Sequence, residues 1–256
     1  MNKEEILQFL IESEIYKSDQ ELDLSRRNLQ GVNLSRIKLS KANLSEANLS
    51  EADLRWSNLV KANLSKADLN RTKLSKAELR WANLNEADLS QADLRWASLS
   101  EADLSKADLT MANLFGVHLT NAKLGEADLT KADLTKATLH EAYLREAILN
   151  GANLTDAMLV GTNLNRANLM EANLTRANLR RADLSMANLS KADLTRARFY
   201  ETDLAGANLS GTNLNGSDFT NANLSQTMFE QAKYNIHTVW AEGFDPSTLK
   251  GIIFED

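Results

Sequence analysis

From residue 24 to residue 229 every fifth residue of this chain is Leu or Phe, 42 positions in succession without an insertion or deletion. Thirty-nine are Leu, and the exceptions are Phe199, Phe219 and Phe229. Two residues before each, 30 of the 42 positions are Ala, and most of the rest are small or aliphatic, such as Ser57, Thr72, Val117 and Thr162. One residue before, 30 of the 42 are Asn or Asp. The unit is Ala-(Asn/Asp)-Leu-x-x, as in Ala42-Asn43-Leu44-Ser45-Glu46. A fixed internal period of this kind constrains the fold before any other feature does.

A period of five suits neither regular element. On a helix, successive Leu residues advance by a net ~140° and wind around the axis instead of forming a stripe. On a continuous strand, an odd period sends alternate Leu residues to opposite faces. Within one unit, however, Ala and Leu are two apart and share a face, with Asn or Asp pointing the other way. The next Ala follows three residues later, so the chain must turn. Each unit therefore reads as a short extended side followed by a corner, and the whole as a solenoid.

Irregular units give the number of sides per coil. Twelve units lack Asn or Asp at its usual place, and seven of these fall in one column at a 20-residue period: Lys38, Glu78, Ser98, His118, Thr138, Met158 and Arg198. The other five, Lys73, Lys123, Tyr143, Ile148 and Met228, scatter over three columns. A second 20-residue signal is Arg26, Glu46, Lys66, Glu86, Lys106, Glu126, which alternates in sign. Coils stack at ~4.8 Å, close enough for opposite charges on neighbours to help. Four units per coil fits both.

The pattern resembles that of the pentapeptide-repeat proteins, whose motif is A(N/D)LXX, over residues 22–231. The resemblance implies an all-β solenoid, a right-handed quadrilateral β-helix of about ten coils, with Leu or Phe and the small residue inside. The segment from Thr238 to Pro246 is similar to the terminal segment of cyanobacterial members. Some members are linked to DNA-gyrase protection by B-DNA mimicry, while most have no assigned biochemical role.

A solenoid exposes its core at both ends unless capped. Residues 1–21 are expected to form an α-helical cap, since Leu7, Leu10, Ile11 and Ile15 follow helical spacing. Asn2 is the candidate N-cap, with Glu5 three residues on. Residues 232–256 are expected to cap the other end, with Val239, Trp240 and Phe244 over the last coil. Asp245, Pro246 and Gly251 suggest a short helical turn there. With both ends closed, the expected state is a monomer or a homodimer joined through one cap.

Catalysis is poorly provided for. The chain has no Cys, which removes disulfides and thiolate chemistry. A lumen filled by its own Leu leaves no internal pocket of the kind enzymes use. No Gly-rich phosphate loop, nucleophile elbow or HExxH is present. His118 and His140 lie on one side in adjacent coils with Glu141 beside them, but on a convex surface with no orienting groups. No enzyme activity, cofactor or metal is expected. Apolar residues never run to the ~20 that span a bilayer, and the acidic first 14 residues lack signal-peptide features, so a cytoplasmic setting is expected.

Charge argues against nucleic acid as partner or template. Of the net −6, residues 1–21 carry −4 and residues 232–256 carry −2, leaving 25 acidic and 25 basic residues in the repeat region. A phosphate mimic needs a field of one sign along its length, and a direct binder needs a basic stripe. The motif's Asp alternates freely with Asn, which indicates a local hydrogen-bonding role.

The irregular column remains as the candidate surface for a protein partner. Trp56 and Trp96 occupy the corner entering it, two coils apart with Lys76 between, and Trp81 occupies the corner leaving it. Each follows an Arg, giving three Leu-Arg-Trp triplets within 43 residues. Outward Trp and Arg are enriched at binding hot spots, and Lys76 can stack on a flanking indole. The same residues can instead shield the corners of their own rod. The candidate binding residues are Trp56, Arg80, Trp81, Trp96, His118, His140, Arg180, Arg181 and Tyr200.

Overall fold

The structure is a computed structural model that describes residues 8, 22–249 and 251–255. The expected N-terminal helical cap lies outside the described residues, Gln8 apart. From Asp23↔Asn43 to Asn213↔Lys233, isolated parallel bridges pair each residue n with residue n+20. The bridging residue is the one before each Leu or Phe, and two turn residues follow that Leu or Phe. The rod is thus four-sided, each side barely longer than one bridge. We number the faces by their first bridging residue: face 1 from Asp23, face 2 from Asn28, face 3 from Asn33 and face 4 from Lys38.

Three inter-coil backbone hydrogen bonds per unit hold the stack: Leu24 N–H donates to Asn43 O (2.7 Å), Arg26 N–H to Ser45 O (2.9 Å), and Asn43 N–H to Leu22 O (2.9 Å). A fourth closes the corner, from Arg27 N–H to Leu24 O (3.3 Å). In all 42 units, from Arg26 to Gln231, the second corner residue has positive φ: 35 non-glycine residues between 54° and 62°, and seven glycines. A four-residue turn with positive φ only at its third residue is type II, where Gly is the usual occupant. A left-handed conformation costs a non-glycine residue ~1–2 kcal/mol, and here Lys, Arg, Glu, Trp and Met accept it because the flanking bonds fix the chain.

The Asn and Asp of the motif reinforce 30 of those 42 corners. Every one of the 30 accepts, through its side-chain oxygen, the N–H two residues ahead, at 2.8–3.3 Å. That N–H has no backbone acceptor, so the Asx turn satisfies a donor the ladder leaves out. Asn and Asp serve equally, which accounts for their free exchange.

Leu, Phe and the small residue face inward and are buried nearly throughout. Where Ser or Thr replaces Ala, the buried hydroxyl donates to a main-chain carbonyl, as Ser57 does to Leu54 O and Thr72 to Leu49 O. The lumen therefore holds polar side chains only where a carbonyl can receive them.

Near the C-terminal end the core turns aromatic. Phe199 stacks on Phe219 (centroids 4.7 Å), Phe219 on Trp240 (5.2 Å), and Trp240 on Phe244 (5.0 Å). Asp218 bridges Val239, one residue beyond the regular register. This slip corrects the expectation for Val239: it takes the bridging, outward position and is half-exposed, while Trp240 takes the inward one. Beyond it, Pro246–Thr248 forms a 3-10 turn with Asp245 as N-cap, accepting from Ser247 N–H. The chain ends in a parallel pair, β1 (Lys233–Tyr234) with β2 (Ile253–Phe254).

Candidate functional site

The corner that enters face 4 carries Trp56, Lys76, Trp96 and Gly116 in successive coils. Both indoles start from left-handed backbone, φ 62° at Trp56 and 60° at Trp96. The Arg before each is tied to the Asp of its own unit by two bonds: Arg55 to Asp53 (2.9 and 2.6 Å) and Arg95 to Asp93 (2.8 and 2.8 Å). Those guanidinium forks hold the Asp53 and Asp93 carboxyls differently. At Asp53 the Arg55 bonds dominate and draw its pKa below the usual carboxylate range. At Asp93 burial pushes upward, and the Arg95 bonds outweigh it to leave the pKa lowered.

Trp96 lies flat over the next coil. A Cβ added to Gly116 would fall 2.5 Å from two of its ring carbons, so glycine there seats the indole. Phe115 meets Trp96 edge-on at 5.2 Å, and Lys136 Nζ stands 5.8 Å over Phe115. One coil above Trp96, Lys76 Nζ bends back over Trp56, 4.3 Å from its ring centroid. Between them opens a surface cleft of ≈ 520 Å³, lined by Trp56, Lys76, Glu78 and Trp96. Trp56 and Trp96 remain 54% and 49% exposed.

Trp81 stands on the opposite corner of face 4, flanked by Lys61 Nζ at 5.5 Å and Arg80 at 5.4 Å. Arg80 pairs with Glu78 at 3.4 Å, so it too is bound to the acid of its own unit. A third group lies five coils on: Arg180 covers Tyr200 (5.1 Å), and Arg181 bonds Glu201 at 2.6 Å. At ~4.8 Å per coil this is ~24 Å from Arg80, so the expected residues form two separate clusters. His118 is exposed and His140 half-buried between the clusters. Among the described residues no group of three or more His, Asp or Glu can hold a metal ion. No helix among the described residues is long and apolar enough to cross a membrane.

Glu78, Phe115 and Gly116 belong to the site, and reading the triplets alone misses the last two. Their signal was the column, since Gly116 sits 20 residues after Trp96. The acid two residues before each triplet's Arg, in Asp53, Glu78 and Asp93, likewise foreshadows the pairing. Face 4 is also the least capped face. Seven of its units lack the Asx acceptor, and the N–H groups of Ser100, Thr120, His140 and Val160 have no protein acceptor among the described residues.

A family model of pentapeptide repeats matches in overlapping segments from residue 20 to residue 233. The solved structure of HetL, a pentapeptide repeat protein involved in heterocyst differentiation regulation from the cyanobacterium Nostoc sp. strain PCC 7120, is 35% identical over 91% of this chain and 94% of HetL, with a TM-score of 0.63. A pentapeptide repeat protein of the Arabidopsis thaliana thylakoid lumen is 35% identical over 37% of this chain and 66% of its own, TM-score 0.36. A form of QnrB1, a plasmid-mediated fluoroquinolone resistance protein, is 17% identical over 70% of this chain and 90% of its own, TM-score 0.43. No curated protein sequence matches the chain.

Proposed function

The chain belongs to the pentapeptide repeat family, a right-handed quadrilateral β-helix, and from that premise we propose that it is a non-enzymatic interaction rod whose docking surface is face 4 around Trp56, Trp81 and Trp96. The observation that carries this reading is three indoles held about half-exposed at the corners of one face, each beside an Arg paired with the acid of its own unit. Ordered aromatic side chains lose little entropy on binding, and Trp with Arg dominates interface energetics. A flat solenoid face presenting varied side chains suits a protein partner.

The likeness to HetL supports a regulatory role, and action by protein contact rests on the exposed indoles of face 4. In this reading about ten coils separate two caps, residues 1–21 and 232–256, and the rod works in the cytoplasm as a monomer or a cap-joined dimer. The balanced charge of residues 22–231 favours this over the DNA-mimicking gyrase inhibitor.

Affinity capture from lysate of the source cell tests the proposal. The wild type is compared with a chain carrying Trp56→Ser, Arg80→Ser, Trp81→Ser and Trp96→Ser, whose fold is checked by circular dichroism. One partner retained by the wild type and lost by the variant is expected. Equal capture by both, or gyrase retained in competition with DNA, overturns the reading.

A further inference from the structure

The spacing of Trp56 and Trp96 selects a ligand shape. They occupy equivalent corners 40 residues apart, with near-identical φ and the same Asp-Leu-Arg-Trp context. In both units the Arg before the Trp pairs with its own unit's Asp, Arg55 with Asp53 and Arg95 with Asp93. Two coils at ~4.8 Å put the corners that carry the two indoles ~9.6 Å apart along the rod. An extended strand repeats its face every ~6.8 Å and a helix comes round in two turns at ~10.8 Å, so each misses the ~9.6 Å step by more than ~1 Å. A polyproline II helix has three residues per turn at ~3.1 Å, which returns the same face every ~9.3 Å.

We propose that the cleft between Trp56 and Trp96 binds a proline-rich peptide segment running along the rod in polyproline II conformation, one proline on each indole and two residues between. The proposal rests on the reading of face 4 as a protein-docking surface. Polyproline II segments dock on exposed aromatic platforms because they are already extended and lose little entropy. Their backbone carbonyls are free, and Lys76 stands between the two steps, its ammonium 4.3 Å over Trp56, as donor to the intervening residues. Lys76 and Glu78 leave the cleft without net charge, so proline spacing and not charge sets selectivity. A sugar chain would need polar groups aimed at its hydroxyls. The one acid here, Glu78, is paired with Arg80 at 3.4 Å.

The chain has four Trp, so a ¹⁵N-labelled sample gives four indole N–H signals, assigned by substitution. Titration with a synthetic decapeptide carrying proline at every third position should shift the signals of Trp56 and Trp96 and leave those of Trp81 and Trp240 in place. The same composition with prolines at every fourth position should bind at least tenfold more weakly. Trp56→Ala and Trp96→Ala should each weaken binding about tenfold, and Trp56→Phe should restore most of it, with native circular dichroism in every case. Equal response to both peptides, no response at millimolar peptide, or shifts given only by a cello-oligosaccharide overturns the proposal. A captured partner that depends on the tryptophans but contains no such proline spacing leaves face 4 as the docking surface and sinks this inference alone.

Discussion

Replacing Asp108 separates the two jobs its carboxylate can do. Asp108 lies on face 2, bridged to Asp88 on one side and Asp128 on the other. Its one side-chain bond accepts Thr110 N–H at 2.8 Å. A hydrogen bond of this kind contributes about 1 kcal/mol net. Each neighbouring carboxylate, ~5 Å away in water, opposes it by at most ~0.8 kcal/mol, which salt reduces to a few tenths. Asp108→Asn keeps the acceptor and removes the repulsion, so it should stabilise the rod by about 0.5 kcal/mol. Asp108→Ala removes both and should cost about 0.5 kcal/mol. The converse change, Thr138→Asn on face 4, supplies an acceptor for His140 N–H and should gain about 0.5–1 kcal/mol. Urea unfolding of the three variants beside the wild type at low ionic strength, where the repulsion is not screened, reads these as shifts in midpoint at constant slope. If Asp108→Asn is as damaging as Asp108→Ala, charge and not hydrogen bonding maintains the motif, and the reasoning fails.

Three further outcomes follow from the same geometry. Phe219→Ala opens the aromatic stack between Phe199 and Trp240 and should cost ~3–5 kcal/mol, with amide exchange rising only in the last coils. Trp240→Phe should cost far less, because the buried Trp240 indole N–H has no hydrogen-bond partner among the described residues. Gly116→Ala places a methyl against Trp96 in a left-handed corner. It should shift the Trp96 indole signal and cost ~1–2 kcal/mol, whereas an unmoved signal refutes the seating. The carboxyls of Glu46, Asp53, Asp93 and Glu201 are all lowered by Arg partners, against a counteracting burial at Asp93. Folded values below the unfolded ~3.9–4.3 mean stability that is full above about pH 5 and lost as pH falls through the folded values. A melting temperature that climbs below pH 4 would show instead that repulsion along the Asp68–Asp88–Asp108–Asp128 ladder dominates.

The architecture was legible because burial follows period, and period survives in a bare sequence. The alternating ladder appears as Arg26–Glu46, Lys66–Glu86 and Lys106–Glu126 pairs at 3.0, 3.6 and 3.8 Å. The left-handed corners were not legible. Lys131, Glu171 and Met186 carry no preference for positive φ, and only the Asx turn before them and the bonds around them impose it. The slip at Val239 was hidden for a similar reason: one extra residue before Trp240 follows the last regular unit, where no periodicity remains to mark it. At the site, residue type pointed to Trp56, Trp81 and Trp96 correctly as exposed. It did not show that Arg80 is already engaged by Glu78, or that Arg180 and Tyr200 lie in a separate cluster.

The claim that face 4 is the working surface is tested most directly by photo-crosslinking inside the source cell. A benzophenone side chain placed at Ser100 on face 4 samples that surface, and one at Thr110 on face 2 samples a regular face of the same rod. The account predicts one discrete crosslinked protein from position 100, abolished when Trp56, Trp81 and Trp96 are replaced by Ser, and none from position 110. Crosslinks to the same protein from both faces, or from position 110 alone, would contradict it.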